Sequence, residues 1–219
     1  MTISSQILAL DRDITLAINS CHSAAFDQFF FLFSRTQVWA FFFIVLTYVL
    51  CRTYGWRTML SVVIAVALAV LVSDQLCNVF KYSVCRLRPT HEPSLAAVVH
   101  TVNGYVGGDY GFCSSHAANT VALAILTSLV LRRRFYSLLI SSWVLLSCWS
   151  RIYLGVHYFG DILFGLILGS VVSLIVYMCW RKTRWRKEPV NLSLKSTIIL
   201  IASYFITVIL LFVLPFFVV

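Results

Sequence analysis

Six apolar runs, each near the thickness of a bilayer, alternate with short segments into which the basic residues crowd, and this alternation fixes the architecture. A membrane-spanning helix needs about 20 mostly apolar residues, within roughly 17 to 25. The runs are Thr36 to Cys51, Thr58 to Phe80, Ala117 to Leu131, Phe135 to Ser150, Asp161 to Trp180 and Ser196 to Val219. The shorter ones gain a turn from flanking residues that snorkel or line the protein interior. Helices are required because backbone groups facing lipid must be satisfied internally, and the alternation of a membrane barrel is missing. The predicted fold is all-α, a polytopic membrane helix bundle of about six spans. It is read as one domain over 1–219, with an amphipathic N-terminal segment over 1–35 and the bundle over 36–219.

Composition supports a membrane class: 60% of the 219 residues are hydrophobic and 11% charged, with a mean hydropathy of +0.90. Soluble domains are closer to half apolar and a quarter charged. A net charge of +9 would suggest nucleic acid in a soluble chain. Here the basic residues mark loops instead, so the predicted partners are the lipid bilayer and a membrane lipid, with no nucleic acid. Nothing fixes an oligomeric state. The amino terminus lacks a basic region followed by an apolar core and a small-residue cleavage site, so no removable signal peptide is predicted.

The charges also orient the chain. Arg52 and Arg57, then Arg132, Arg133 and Arg134, then Arg181, Lys182, Arg184, Arg186, Lys187 and Lys195 follow the first, third and fifth runs, against the single acid Glu188. The positive-inside rule makes that face cytoplasmic and the opposite face extracytoplasmic, periplasmic in a bacterium. Upstream, Ile7 to Phe33 mixes apolar residues with Asp11, Arg12, Asp13, Asn19 and Asp27 and reads as amphipathic helix in the interface. Packing against the bundle, or a half-span, is an equal alternative.

Two connections on the extracytoplasmic face, Lys81 to His116 and Ser150 to Asp161, hold four of the five histidines. Ionisable groups at membrane depth cost about 2.5–3.5 kcal/mol each on insertion scales, so a cluster of them calls for a function. Three patterns stand out: Lys81-x6-Arg88-Pro89, then Cys113-Ser114-Ser115-His116, then Ser150-Arg151-x5-His157-x3-Asp161. Lys81, Arg88 and Arg151 suit an anion of two or more charges, since guanidinium groups meet phosphate oxygens through paired hydrogen bonds. Ser114 and Ser115, at the start of the third span, extend a helix N-terminal anion site. His157 and Asp161 share a face if the stretch is helical, the carboxylate orienting one ring nitrogen and freeing the other as a nucleophile. His116 is then the proton donor and acceptor.

These motifs, in this order on one face, resemble the type 2 phosphatidic acid phosphatase superfamily. The resemblance implies a metal-free site that needs no cofactor and works through a phosphohistidine. By position, His157 is the nucleophile, His116 the general acid and base, and Asp161 the orienting partner, while Lys81, Arg88, Ser114 and Arg151 bind phosphate. Cys113 and Ser115 depart from the family's usual proline and glycine, so Ser115 adds a hydroxyl to the pocket. The implied activity is hydrolysis of an envelope lipid phosphate, lipid A or undecaprenyl pyrophosphate. Transfer of the phosphoryl group to an alcohol, or a phosphatidylglycerophosphate substrate, is the alternative.

The remaining polar residues receive structural readings. His22, His91 and His100 are taken as interfacial or loop residues, and Arg86 as either a headgroup contact or a solvated charge. Asp74 is placed behind Lys81 or Arg88. Gly165 and Gly169 favour close packing inside the bundle. The seven cysteines lack C-x-x-C spacing and are mostly packing residues, although Cys85 and Cys113 lie on a face where a disulfide is chemically permitted.

Overall fold

The computed structural model describes residues 3–185 and 192–213. Among these residues eight α-helices follow in order: α1 (Ile3–Asn19), α2 (Ala24–Phe33), α3 (Ala40–Tyr54, entered through a 3-10 turn at Thr36–Trp39), α4 (Trp56–Val84), α5 (Ser115–Leu131), α6 (Arg134–Tyr153), α7 (Phe159–Trp180) and α8 (Leu194–Val213). The all-α class expected from the sequence is the class observed. With the turn counted into α3, five helices (α3, α4, α6, α7 and α8) are long and apolar enough to cross a membrane. The sixth expected span, α5, is a shorter apolar helix of 17 residues. Arg186, Lys187 and Glu188 of the third basic loop, and the end of the last apolar run, lie outside the described residues.

α5 is the central helix, packed against α4, α6 and α7. Its contact with α7 depends on small residues. A Cβ on Gly165 would stand 2.6 Å from the carbonyl oxygen of Ser114, and one on Gly169 would run into the Ala118 backbone. One turn further, the Ser173 hydroxyl donates to the Ala122 carbonyl at 2.8 Å. The G-x-x-x-G pair thus serves packing within the bundle, as read from the sequence, because removal of side chains lets two backbones approach. Gly169→Leu is expected to destabilise the protein by about 1–3 kcal/mol or more through overpacking, measurable as a lower thermal midpoint in detergent.

Polar contacts dock α1 on one end of the bundle. Thr15 and Asn19 are buried on it, while Ile7, Leu8 and Leu10 are exposed. The Asn19 amide donates to the carbonyls of Tyr153 at 2.8 Å and His100 at 3.0 Å, and its oxygen accepts from the His100 N–H at 2.8 Å. The Thr15 hydroxyl accepts from the Phe159 N–H at 3.0 Å. Leu16 and Ile18 pack beside these polar contacts, while Arg12 and Asp13 are exposed with Ile7, Leu8 and Leu10, an exposed mixture of charged and apolar residues that suits an interfacial position. Neither α1 nor α2 is among the helices long enough to span.

The ends of the bundle differ. At one, Tyr54 donates to the Val130 carbonyl at 3.2 Å and Thr58 to the Trp185 carbonyl at 2.9 Å, joining the segments that carry the basic loops. At the other, the C-terminal ends of α4 and α6 meet the N-terminal ends of α5 and α7, together with the connection 85–114. All three motifs are there.

Candidate active site

α4 runs past the expected end at Phe80 to Val84, which puts Lys81 in its last turn, and stops at Cys85 in a left-handed conformation (φ 52°). The chain then folds back on itself: Arg88 N–H donates to the Asp109 carbonyl at 3.0 Å and Gly111 N–H to the Arg86 carbonyl at 2.9 Å. This fold-back needs glycine at two points. Gly107 has φ +72°, and a Cβ there would sit 2.9 Å from Arg88 Nη1; a Cβ on Gly111 would sit 2.8 Å from Asp161 Oδ2. Arg88 is fixed in turn by donating to the carbonyls of Val156 at 3.1 Å and Tyr110 at 3.2 Å.

His157 and Asp161 approach by a different route from the one expected. His157 lies in the turn between α6 and α7, before the helix begins, so the two do not share a helical face. Asp161, in the first turn of α7, folds back to accept from the Tyr158 N–H at 3.0 Å, and that cap brings its Oδ2 to 3.5 Å from His157 Nδ1. The separation exceeds a good hydrogen bond, and Nδ1 is left unsatisfied among buried atoms. Catalytic contacts of free enzymes are often this loose and tighten on substrate. On the other side of the ring, Arg88 Nη1 lies 3.4 Å from Nε2, so the lone pair belongs to Nε2 and the proton to Nδ1. Burial, then the charges of Arg88, Arg151 and Lys81, hold His157 well below the titration range of a free imidazole. The ring is therefore neutral and able to attack.

Three cations surround that ring. Arg88 and Arg151 are buried, and the Arg151 Nε has no partner. Burial, followed by the Arg151 charge, lowers the affinity of Arg88 for its proton. Arg151 Nη2 donates to the Tyr105 hydroxyl at 3.0 Å; burial opposes ionisation of the phenol, but the charge and hydrogen bond of Arg151, with the charges of Arg88 and Arg35, together hold it below its ordinary titration range. Lys81 Nζ donates to Ser115 Oγ at 2.7 Å. Among the described residues, none of the three cations has a carboxylate at ion-pair distance. Buried charge without a counterion is costly, so the arrangement favours an anionic ligand.

The two serines divide their work. Ser114 is fully buried and caps α5, accepting from the Ala117 N–H at 3.4 Å, while its own N–H donates to the Asp161 carbonyl at 3.1 Å. It is Ser115 that presents its hydroxyl to Lys81. His116 Nε2 lies 3.0 Å from the Ser34 carbonyl oxygen. A carbonyl only accepts, so Nε2 carries a proton and Nδ1 is the nitrogen left for proton transfer. Asp74 stands behind Lys81 at one remove: its carboxylate accepts from Asn78 at 3.3 Å and Asn119 at 3.4 Å, and Asn78 accepts from Lys81 at 3.4 Å.

Several contributors carried no signal in the sequence. Arg86 bridges Asp161 Oδ1 at 3.0 Å and Asp11 Oδ2 at 2.7 Å, with its guanidinium 3.8 Å over the Tyr158 ring. It is held in two ion pairs and is not a freely solvated charge. Asp11 also accepts from the Gly160 N–H at 2.6 Å, so α1 is tied directly to the start of α7. Ser34 acts through its backbone. Arg86→Gln is expected to lower kcat about 10–100-fold with little change in KM, because it leaves the carboxylate that orients His157 poorly held; Arg86→Lys should recover part of the loss. Steady-state kinetics of both variants checks this.

The other histidines lie outside the cluster. His100 meets Asp27 at 3.0 Å and stacks on His22 at 3.8 Å, and His91 lies 3.7 Å from Asp109. Cys85 and Cys113 are both free thiols; Cys85 is exposed, and buried Cys113 faces Cys77 at 3.1 Å instead. Of the seven cysteines, Cys77, Cys113 and Cys148 are buried, Cys51 is half-buried, and Cys21, Cys85 and Cys179 are exposed.

Residues 58–185, which contain all three motifs, match the PAP2 superfamily. The chain belongs to that superfamily. The matched region holds every catalytic candidate while leaving out Asp11 and Ser34, and together with the following two relatives it makes the chain a phosphatase. The chain is 38% identical over 182 residues to a lipid A 4'-phosphatase of Porphyromonas gingivalis, covering 82% of this chain and 77% of the relative. It is 35% identical over 181 residues to a lipid A 4'-phosphatase of Bacteroides thetaiotaomicron, covering 82% and 80%. Two crystal structures share its fold. One is Aquifex aeolicus LpxE (TM-score 0.58, 20% identity, 77% of this chain and 95% of the other). The other is a PAP2-type phosphatidylglycerolphosphate phosphatase from Bacillus subtilis (TM-score 0.62, 18% identity, 84% and 90%).

Proposed function

We propose that this protein removes the 4'-phosphate of lipid A at the periplasmic face of the inner membrane, through a phosphohistidine formed on His157. The observation that carries the reading is the convergence of Lys81, Arg88 and Arg151, none with a carboxylate counterion among the described residues, on a neutral histidine backed by Asp161. The names of the two relatives above 30% identity support lipid A and its 4' position. The distribution of basic loops supports the face.

The reaction follows from the groups present. The phosphate dianion enters among the three cations, and Arg88 turns from His157 Nε2 to a phosphate oxygen, releasing the lone pair. Burial and the Arg151 charge keep His116 neutral in the free site, and the bound phosphate dianion offsets that charge so that Nδ1 takes up a proton. Nε2 of His157 then attacks phosphorus, the bond to the leaving sugar oxygen breaks, and His116 gives its Nδ1 proton to that oxygen. Asp161 stabilises the positive charge left on the His157 ring. A water then attacks phosphorus and gives a proton to His116, and the phosphorus–Nε2 bond breaks to release inorganic phosphate. Catalysis comes from charge neutralisation and positioning. The acyl chains remain in the bilayer throughout.

The test is phosphate release by the detergent-purified protein in EDTA, with lipid A and undecaprenyl pyrophosphate in parallel. Release from lipid A is expected, with the phosphate at the reducing end retained in the product by mass spectrometry. Release from undecaprenyl pyrophosphate alone, or loss of the reducing-end phosphate, would overturn the assignment.

A further inference from the structure

A cavity of about 280 Å³ opens beside the catalytic cluster, lined by His116 and Arg151 together with Phe31, Arg35, Gln37 and Tyr105. His116 and Arg151 belong to the site already described; the other four have no part in phosphate chemistry. In-line displacement puts the leaving oxygen opposite His157, and the acid that protonates it must lie beside it. That acid faces this cavity, so the group attached to the leaving oxygen enters the cavity too.

The walls say what kind of group fits. Arg151, Tyr105, Phe31 and Arg35 form a ladder of alternating cations and rings: Arg151 lies 5.5 Å from the Tyr105 ring centroid, Phe31 meets Tyr105 edge-on at 6.0 Å, and Arg35 lies 4.5 Å over Phe31. Aromatic rings offer apolar surface to the C–H faces of a ring, and Arg35 and Gln37 offer donors to its oxygens. A saturated ring studded with hydroxyls matches such a lining, whereas a bare polyprenyl chain would strand the polar groups. The volume admits one such ring. Among the described residues, Arg35 has no carboxylate at ion-pair distance.

We infer that the Phe31–Gln37 segment, with Tyr105, forms a leaving-group subsite for a pyranose ring, so that the junction of α2 and α3 sets headgroup specificity. This rests on the assignment of His116 as the acid. It explains why α2 packs at the mouth of the site when the chemistry is carried by α4 to α7.

The test uses the full-length protein in detergent with two substrates, lipid A and phosphatidic acid, and the variants Arg35→Ala and Gln37→Ala. The readout is the ratio of kcat/KM for lipid A to that for phosphatidic acid, which a general loss of folded protein cannot move. The ratio is expected to fall at least tenfold in Arg35→Ala and less in Gln37→Ala. In parallel, the deacylated glucosamine disaccharide lacking the 4'-phosphate should inhibit phosphatidic acid hydrolysis competitively, and Arg35→Ala should weaken that inhibition at least tenfold. A ratio within twofold of wild type overturns the subsite even if lipid A is the better substrate. If wild type favours phosphatidic acid, the lipid A assignment fails, yet the disaccharide still decides the subsite: Arg35-dependent inhibition supports it and absence of inhibition overturns it.

Discussion

His157→Ala lowers phosphate release by at least about 10⁴-fold, the scale on which loss of a covalent nucleophile is felt, while the bundle stays folded. The expectation of intact structure has a physical basis. His157 lies in a turn, and its Nδ1 has no close partner. The ring's polar contacts are long, 3.4 Å to Arg88 and 3.5 Å to Asp161, so its loss removes little hydrogen bonding from the fold. His157→Gln should be equally inactive, because an amide fills the space without supplying a nucleophile. Turnover assays beside thermal melts check the pair. Residual activity within tenfold of wild type would remove His157 from the chemistry.

Arg151→Ala comes second, with an expected loss of about 10²–10³-fold in kcat, the typical effect of deleting one preorganised donor to developing negative charge. Arg151 serves the site twice, through an unpartnered Nε facing buried surroundings and through the bond from Nη2 to Tyr105. Arg151→Lys restores charge but not the planar fork, so it should recover less than about tenfold. Because Arg151 is buried, each variant needs a thermal midpoint beside its rate. Inhibition by inorganic phosphate supplies a second reading that should weaken in parallel. A variant that folds, turns over normally and keeps its phosphate inhibition would contradict the assignment.

The sequence revealed residues that announce themselves by type and spacing. Lys81, Arg88, Arg151, His116, His157 and Asp161 stand out because charged groups are costly at membrane depth, and their motifs mark the ends of four helices. The apolar runs located the helices to within about a turn at most ends, and the small-residue pair on α7 signalled close packing inside the bundle, which proves to be against α5. What stayed hidden depends on the fold-back of the 85–114 connection, which has no periodicity to read. Arg86 lies 75 residues from both of the carboxylates it bridges. Ser34 reaches His116 across 82 residues through a carbonyl, a group that every residue carries. The His157–Asp161 spacing suggested a helical face, yet a turn followed by a helix cap achieves the same approach. The N-terminal segment read as amphipathic, with packing on the bundle as one of its readings, and Asp11, Thr15 and Asn19 dock it on the catalytic end.

Direct detection of a phosphoryl group on His157 tests the central claim. The protein would be mixed with lipid A for a fraction of a turnover, quenched in alkali, digested and analysed by mass spectrometry, with His157→Ala as the control. The account predicts one alkali-stable, acid-labile phosphoryl group on the peptide carrying His157, absent from His157→Ala. Full turnover with no phosphorylated peptide at any time, or a phosphoryl group on another residue, would contradict it.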